Sequence, residues 1–108
     1  MTAAETYQPP GLQPLNRMRA WPAKPLAEGA RIIAAAILRD GQIHYCIRPC
    51  RHHHVLFHIG GNEPGDVQGF LASDGQFLDR KQARALAIEN GQCRHPANPS
   101  QLFSEDLW

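Results

Sequence analysis

The sequence predicts an α+β domain: a small antiparallel sheet built from two hairpins, with helices packed on one face. Three observations predict this class. Asp40-Gly41 separates two strand-like segments, a second such pair surrounds Ser73-Asp74-Gly75, and a capping box over residues 79–82 opens a helix. Because prolines crowd the beginning of the chain, we divide it into a Pro-rich extended arm, residues 1–28, and a single α+β domain, residues 29–108.

The arm holds five of the nine prolines: Pro9, Pro10, Pro14, Pro22 and Pro25. Each proline removes an amide donor and fixes φ, so neither a long helix nor a central strand fits this segment. Large apolar side chains nevertheless lie between them, namely Leu12, Leu15, Met18, Trp21 and Leu26. We therefore expect an extended arm that packs on the body of the domain or docks on a partner.

The first hairpin is predicted from residues 31–38 and 43–48. The apolar run 31–38 has β-branched residues that favour a buried strand, although its alanines also allow a helix. Asp40-Gly41 suits a turn in which both central residues have positive φ. In residues 43–48 apolar and polar side chains alternate, as is typical of a half-buried strand, and Pro49 ends it.

Residues 51–59 are predicted to form a helix that begins after Pro49 and ends at Gly60-Gly61. A strand is the alternative, because apolar and imidazole side chains also alternate with a period of two within this segment. The choice decides which of its four histidines converge.

The second hairpin is predicted from strands at residues 67–72 and 76–78. A helix over residues 80–90 follows, with Asp79 as its N-cap and Gly91 just beyond its end. Residues 104–106 are predicted to form a last helical turn. Leu107 and Trp108 are then expected to dock on the body or on a second subunit.

Composition narrows the functional classes. The chain has 108 residues, which is one domain by length, and 11 Lys and Arg against 10 Asp and Glu. This near-neutral balance argues against general nucleic-acid binding. No apolar run is long enough to span a membrane, and we see no secretory signal. The three cysteines, Cys46, Cys50 and Cys93, make a poor disulfide framework, so we expect a reducing cytoplasm.

Basic and aromatic residues form the candidate ligand site. The predicted ligand-binding residues are Arg48, Arg51, His52, His53, Phe70, Arg80 and Arg84. Guanidinium groups and protonated imidazoles hold phosphate, and an aromatic ring such as Phe70 or Tyr45 stacks on a base. Each of these residues also has a structural interpretation. The histidines would bond to backbone and water, the arginines of the second helix would lie on its solvated face, and Phe70 would belong to the core.

A metal site is the weaker reading of the histidine cluster. On a helix His54 and His58 share one face, and Cys50 could complete a zinc site with them. No Cys-x-x-Cys or His-Glu-x-x-His motif is present, so we predict no metal, no cofactor and no catalytic residue.

Five segments of the second half of the chain carry a family resemblance: Arg51-His52-His53, Gln68 to Phe77 (Gln-Gly-Phe-Leu-Ala-Ser-Asp-Gly-Gln-Phe), Arg80 to Ala83, Gly91-Gln92, and Ser104 to Trp108 (Ser-Glu-Asp-Leu-Trp). In this combination the chain resembles a group of small proteins encoded by phages and prophages. The resemblance implies a phage or bacterial setting and specifies no activity.

The leading hypothesis is a non-catalytic phage or prophage accessory protein in the cytoplasm of a bacterial host. It would bind an anionic small molecule, with a nucleotide signal of host defence as one form, and assemble as a homo-oligomer. The first alternative is an inhibitor or adaptor of another protein that acts through the Pro-rich arm. The second is a metal-assisted hydrolase that uses the histidine cluster.

Overall fold

The strands and helices follow the chain in the predicted order, with one strand added before them. The computed structural model describes residues 15–20 and 24–108. Within that part the five strands form one antiparallel sheet in the order β1-β3-β2-β4-β5. The elements are β1 (Asn16–Arg19), β2 (Ile32–Arg39), β3 (Gln42–Ile47), α1 (His52–Ile59), β4 (Val67–Ala72), β5 (Phe77–Asp79), α2 (Arg80–Glu89) and a 3-10 turn (Ser104–Asp106). The predicted α+β class is therefore confirmed.

Both predicted hairpins are present. β2 and β3 are joined at Asp40 and Gly41, whose φ angles of 51° and 75° are those of a turn that prolongs the twist of the strands. β4 and β5 are joined by residues 73–76, where the Ala72 amide donates to the Gln76 oxygen at 2.9 Å. Each hairpin forms where a local turn signal was found.

The fifth strand, β1, corrects the picture of a sheet made of two hairpins alone. Part of the arm pairs with β3, with Met18 opposite Ile43. Met18 packs on the sheet whereas Arg17 and Arg19 are exposed. The strand lies at the sheet edge, which is where a segment flanked by prolines can pair. Residues 1–14 and 21–23, with most of the arm's prolines, lie outside the described residues, and the boundary near residue 28 stays a prediction.

Both helices pack on the same face of the sheet, as predicted. Ala35 of β2 lies opposite Cys46 of β3 on one side and Phe70 of β4 on the other, so all three side chains share a face. Cys46 packs with Val55 of α1, and Phe70 belongs to the core cluster that α2 covers. The opposite face carries a second buried cluster, consisting of Ala34, Ala36, Ile43 and Leu71.

The histidine-rich segment is the predicted helix and not a strand. α1 ends at Gly60, whose φ of 86° is a left-handed conformation that glycine adopts without strain. The helix turns His52 and Val55 into the protein and leaves His53, Phe57 and His58 exposed. α2 opens with the predicted capping box, in which the Asp79 carboxylate accepts from the Lys81 and Gln82 amides.

The cysteines depart from expectation. A chain reversal after β3, in which the Cys50 amide donates to the Ile47 oxygen at 3.2 Å, brings the Cα atoms of Cys46 and Cys50 to 5.7 Å. The two are disulfide-bonded, although three cysteines were expected to make a poor disulfide framework. Cys93 is a buried free thiol.

A membrane-spanning helix is not among the elements described. Within residues 15–20 and 24–108 no helix is both long enough and apolar enough to cross a bilayer.

Candidate functional site

The predicted ligand residues lie around the first turns of the two helices. Arg48, Arg51, His52 and His53 precede or begin α1, and Arg80 and Arg84 lie on the first two turns of α2. Because both helices pack on one face of the sheet, these groups are close enough to interact. The pKa of His52 is lowered chiefly by burial, and the charge of Arg80 lowers it further. The chain between residues 98 and 108 runs past both groups.

His52 is part of the core. Its side chain is 7% exposed, and Nε2 lies 2.6 Å from the main-chain oxygen of Gly69. Burial lowers the pKa of His52 to about 4, against an ordinary value of 6.5. The imidazole is therefore neutral at pH 7, and its Nε2–H donates to Gly69 rather than to a ligand.

Phe70 is also a core residue. Its side chain is 0% exposed, and the edge of the His52 ring meets it at a centroid distance of 5.0 Å. A base could reach this ring only after α1 or α2 moved away. Tyr45, the other aromatic candidate, lies opposite Ala36 and Asn16, on the face of the sheet that the helices do not cover.

Arg51 is bound within the protein. Its Nε donates to the main-chain oxygen of Trp108 at 2.9 Å, and its Nη2 donates to the same atom. The Trp108 indole in turn donates to the Cys50 oxygen at 2.7 Å. Leu107 and Trp108 pack against the core of their own chain, which is one of the two outcomes expected for them.

The remaining basic residues of this segment differ in their surroundings. Arg48 and His53 are exposed. His54 is half-buried, and its Nδ1 accepts from the Arg51 amide at 2.8 Å, which closes the first turn of α1. Burial, together with the neighbouring His53 and Arg51, lowers the pKa of His54.

The geometry gives no support to the metal alternative. Cys50 is disulfide-bonded, and the Nδ1 atom of His54 accepts a hydrogen bond from the Arg51 amide at the start of α1. Across residues 15–20 and 24–108, no three or more His, Cys, Asp or Glu side chains are grouped to hold a metal ion.

Arg80 is the predicted residue that borders a cavity. Its guanidinium stacks on the Phe103 ring at 4.3 Å, and donates to the Gln68 side-chain oxygen and, at 3.5 Å, to the Leu102 oxygen. Burial lowers the pKa of Arg80, with Glu105 acting in the opposite direction. Arg84, one turn later, donates from Nε to the Asn98 oxygen at 3.0 Å.

The cavity beside Arg80 is a shallow pocket of about 270 Å³. Five further residues line it: Val67, Gln68, Asp79, Lys81 and Gln101. Sequence reasoning singled out Arg80 alone as a ligand residue here. Gln68 could have been found, because it opens a segment of the family resemblance, whereas nothing in the sequence brings Gln101 to the start of α2.

Glutamine side chains elsewhere in the resemblance segments prove to be structural. Gln92 accepts from the Ile32 amide at 2.7 Å and donates to the Ile32 oxygen at 3.0 Å, so it pairs with β2 where that strand has an irregular register. Gln76 likewise accepts from the Lys24 amide and donates to the Pro25 oxygen, both at 3.2 Å. Each glutamine therefore satisfies one backbone donor and one backbone acceptor.

Comparison with known proteins places this domain among phage proteins. A family model described as Phage T4 y16D protein matches residues 31–108, from the residue before β2 to Trp108. No curated protein and no solved structure matches the chain.

Proposed function

This chain belongs to the family described as Phage T4 y16D protein, and on that premise we propose that it is a non-catalytic phage or prophage accessory protein that binds an anionic small molecule. The proposed site is the pocket at the first turn of α2, lined by Arg80, Lys81, Gln68 and Gln101. The family is one of phage proteins without a described activity, so the ligand is argued from the pocket alone.

The observation that carries the proposal is the state of Arg80. Its guanidinium is half-buried, and burial disfavours its charge. Among residues 15–20 and 24–108 the ion pairs within 4.0 Å are those of Arg39 with Glu63 and Asp66, so Arg80 has no carboxylate at that distance. A bound anion would supply a counter-charge closer to Arg80 than Glu105, which acts on it from beyond that distance.

The other lining groups favour a small ligand rich in oxygen atoms. Lys81 adds an exposed ammonium group, and the amides of Gln68 and Gln101 add donors. The Asp79 carboxylate also lines the pocket, but the Lys81 and Gln82 amides engage it as the cap of α2. Small-molecule pockets measure about 300–1,000 Å³. A volume of about 270 Å³ therefore suits a phosphate group better than a whole nucleotide.

The nucleotide form of the proposal follows from this size. A nucleotide would place one phosphate against Arg80 and Lys81 and its base toward Val67, a pocket residue whose side chain is exposed. Arg84 and Arg48 would then act by their charge and not by direct contact with this phosphate, and His53 lies outside the pocket lining. Arg51, His52 and Phe70 would support the fold around the site.

Titration calorimetry with inorganic phosphate, and then with ADP, tests the proposal. We expect Arg80→Gln to weaken binding by about tenfold or more, since a charged hydrogen bond contributes about 1.5–3 kcal/mol. Arg94→Gln is the matched control, because Arg94 is an exposed arginine outside the pocket. The proposal is wrong if the unmodified protein binds neither compound, or if both variants bind equally well.

One observation favours the adaptor alternative as a second candidate. β1 pairs residues 16–19 with the edge of the sheet, so residues 1–14 join the domain at this edge. Removal of residues 1–28 would also remove β1, and the discriminating variant therefore lacks residues 1–14 only. Loss of a protein partner with unchanged phosphate binding would favour the adaptor function.

A further inference from the structure

The ring of Phe103 lies against the guanidinium of Arg80, which borders the proposed anion pocket. The guanidinium carbon is 4.3 Å from the ring centre, which is the geometry of a cation–π contact. Phe103 is itself held in place, because its amide donates to the Asp106 carboxylate at 2.9 Å. The preceding residue, Leu102, is buried, and its amide donates to the main-chain oxygen of Arg80 at 3.0 Å. The ring is therefore fixed to the first turn of α2.

Three contacts together orient the Arg80 guanidinium. The Phe103 ring covers one of its faces, the Gln68 side-chain oxygen accepts from Nη2, and the Leu102 oxygen accepts from Nη1 at 3.5 Å. A guanidinium has five N–H donors, so these two acceptors among the described residues leave three donors for an anion. A guanidinium presents its donors along its edges, where phosphate oxygens can accept them.

The pocket offers donors to a phosphate group but no aromatic ring to a nucleobase. Its lining, as far as the structure describes the chain, consists of one aliphatic residue, Val67, and five polar or charged residues. Phe70 is fully buried, and Phe103 is not part of the lining and stacks on Arg80. The aromatic ring at this site therefore serves the arginine and not a base.

We propose that Phe103 is the positioning residue of this pocket, and that the pocket recognises the phosphate group of its ligand and not the base. This inference rests on the proposed function, since it concerns the same site. The ring holds the Arg80 donors in one orientation, so less side-chain freedom is lost when the ligand binds. The ligand class is then a compound with an exposed terminal phosphate, whatever group carries it.

Titration calorimetry with ADP, UDP and inorganic pyrophosphate tests both parts of the inference. We expect the unmodified protein to bind the three compounds with dissociation constants within about threefold of one another. Phe103→Leu, which keeps an apolar side chain but loses the ring, should weaken all three about five- to tenfold. Phe103→Tyr restores the ring and should bind within about twofold of the unmodified protein. Phe57→Leu, the same substitution at an exposed position of α1, is the matched control and should bind normally.

A double-mutant cycle separates positioning from a role in stability alone. In the Arg80→Gln protein, Phe103→Leu should cause no further loss of affinity, because the ring acts only through the guanidinium. Unchanged binding by Phe103→Leu, or an equal loss with and without Arg80, would overturn the inference and leave the anion pocket standing. Circular dichroism would establish that each variant folds.

The comparison of the three compounds needs no variant and decides the second part. A preference of more than about tenfold for one base, or for ADP over pyrophosphate, would show that the base is recognised and would overturn the inference. If the unmodified protein binds none of the three, the proposed function is wrong and the inference falls with it.

Discussion

The Nε2 atom of His52 lies 2.6 Å from the main-chain oxygen of Gly69, and this hydrogen bond joins the first turn of α1 to the middle of β4. A carbonyl oxygen only accepts, so the neutral imidazole must carry its proton on Nε2. Burial keeps it neutral by lowering the pKa of His52 to about 4. Protonation would keep this donor, but it would place a positive charge in the core.

The burial of His52 predicts that acid destabilises the domain. In the unfolded chain a histidine takes up its proton near pH 6.5, whereas folded His52 does so near pH 4. The contribution is thus complete above the unfolded pKa and lost as the pH falls through this interval. We expect the free energy of unfolding to drop by about 3 kcal/mol from this group between pH 7 and pH 4. Urea denaturation at a series of pH values measures the drop.

The control for this prediction is a histidine in the loop after α2. His52→Gln should reduce the slope of stability against pH, and His95→Gln should leave it unchanged, because His95 is exposed. Equal slopes for His52→Gln and the unmodified protein would show that another group causes the acid sensitivity.

A second prediction concerns the packing around Gly69, where a side chain would clash with β5. A Cβ atom at this position would lie 2.1 Å from the Leu78 oxygen and 2.6 Å from Cζ of Phe77. Since the oxygen belongs to the paired backbone of β5, it cannot move aside without breaking the hairpin. We expect Gly69→Ala to lower the free energy of unfolding by about 3 kcal/mol or more.

Gly65→Ala separates this clash from simple backbone strain. Gly65 has a φ of 88°, but a Cβ atom there meets nothing within 4 Å. Its substitution should lower the free energy of unfolding by only about 1–2 kcal/mol, which is the cost of a non-glycine residue in a left-handed conformation. Similar losses for the two variants, measured by urea denaturation, would contradict the steric account of Gly69.

The fold was predictable where its signals are local. Asp40-Gly41 and the capping box at Asp79 each act through neighbouring residues, so their hairpin and helix follow from short patterns. β1 was missed because four residues among prolines carry too little pattern, and it forms only by pairing with β3.

The site was less predictable because it depends on distant contacts. Arg51 was correctly placed at the start of α1, yet its partner, Trp108, is 57 residues away. No periodicity in the sequence specifies such a contact. Composition shows that arginines are present, but only the packed chain shows which of them is engaged and which borders the pocket.

Two neighbouring arginines give a direct test of that distinction. Arg51 holds the Trp108 oxygen, whereas Arg48 is exposed. We expect Arg51→Ala to lower the free energy of unfolding by about 1.5–3 kcal/mol, as for a lost charged hydrogen bond. Arg48→Ala should change it by less than about 0.5 kcal/mol. Thermal denaturation of both variants checks this, and equal losses would contradict the assigned role of Arg51.

A last prediction concerns the loop after α1. Arg39 of β2 binds this loop through Asp66. Its Nε and Nη2 donate to the two carboxylate oxygens of Asp66 at 2.9 and 2.7 Å, lowering the pKa of Asp66 to about 2. This stabilisation exists above the ordinary carboxyl pKa of 3.8 and is lost as the pH falls toward 2. Asp66→Asn should therefore lower the melting temperature at pH 7, by an amount that shrinks below pH 3. Asp40→Asn, an exposed turn position where asparagine tolerates positive φ, should change it little at either pH. A melting difference for Asp66→Asn that persists unchanged at pH 2 would show that the ion pair is not its cause.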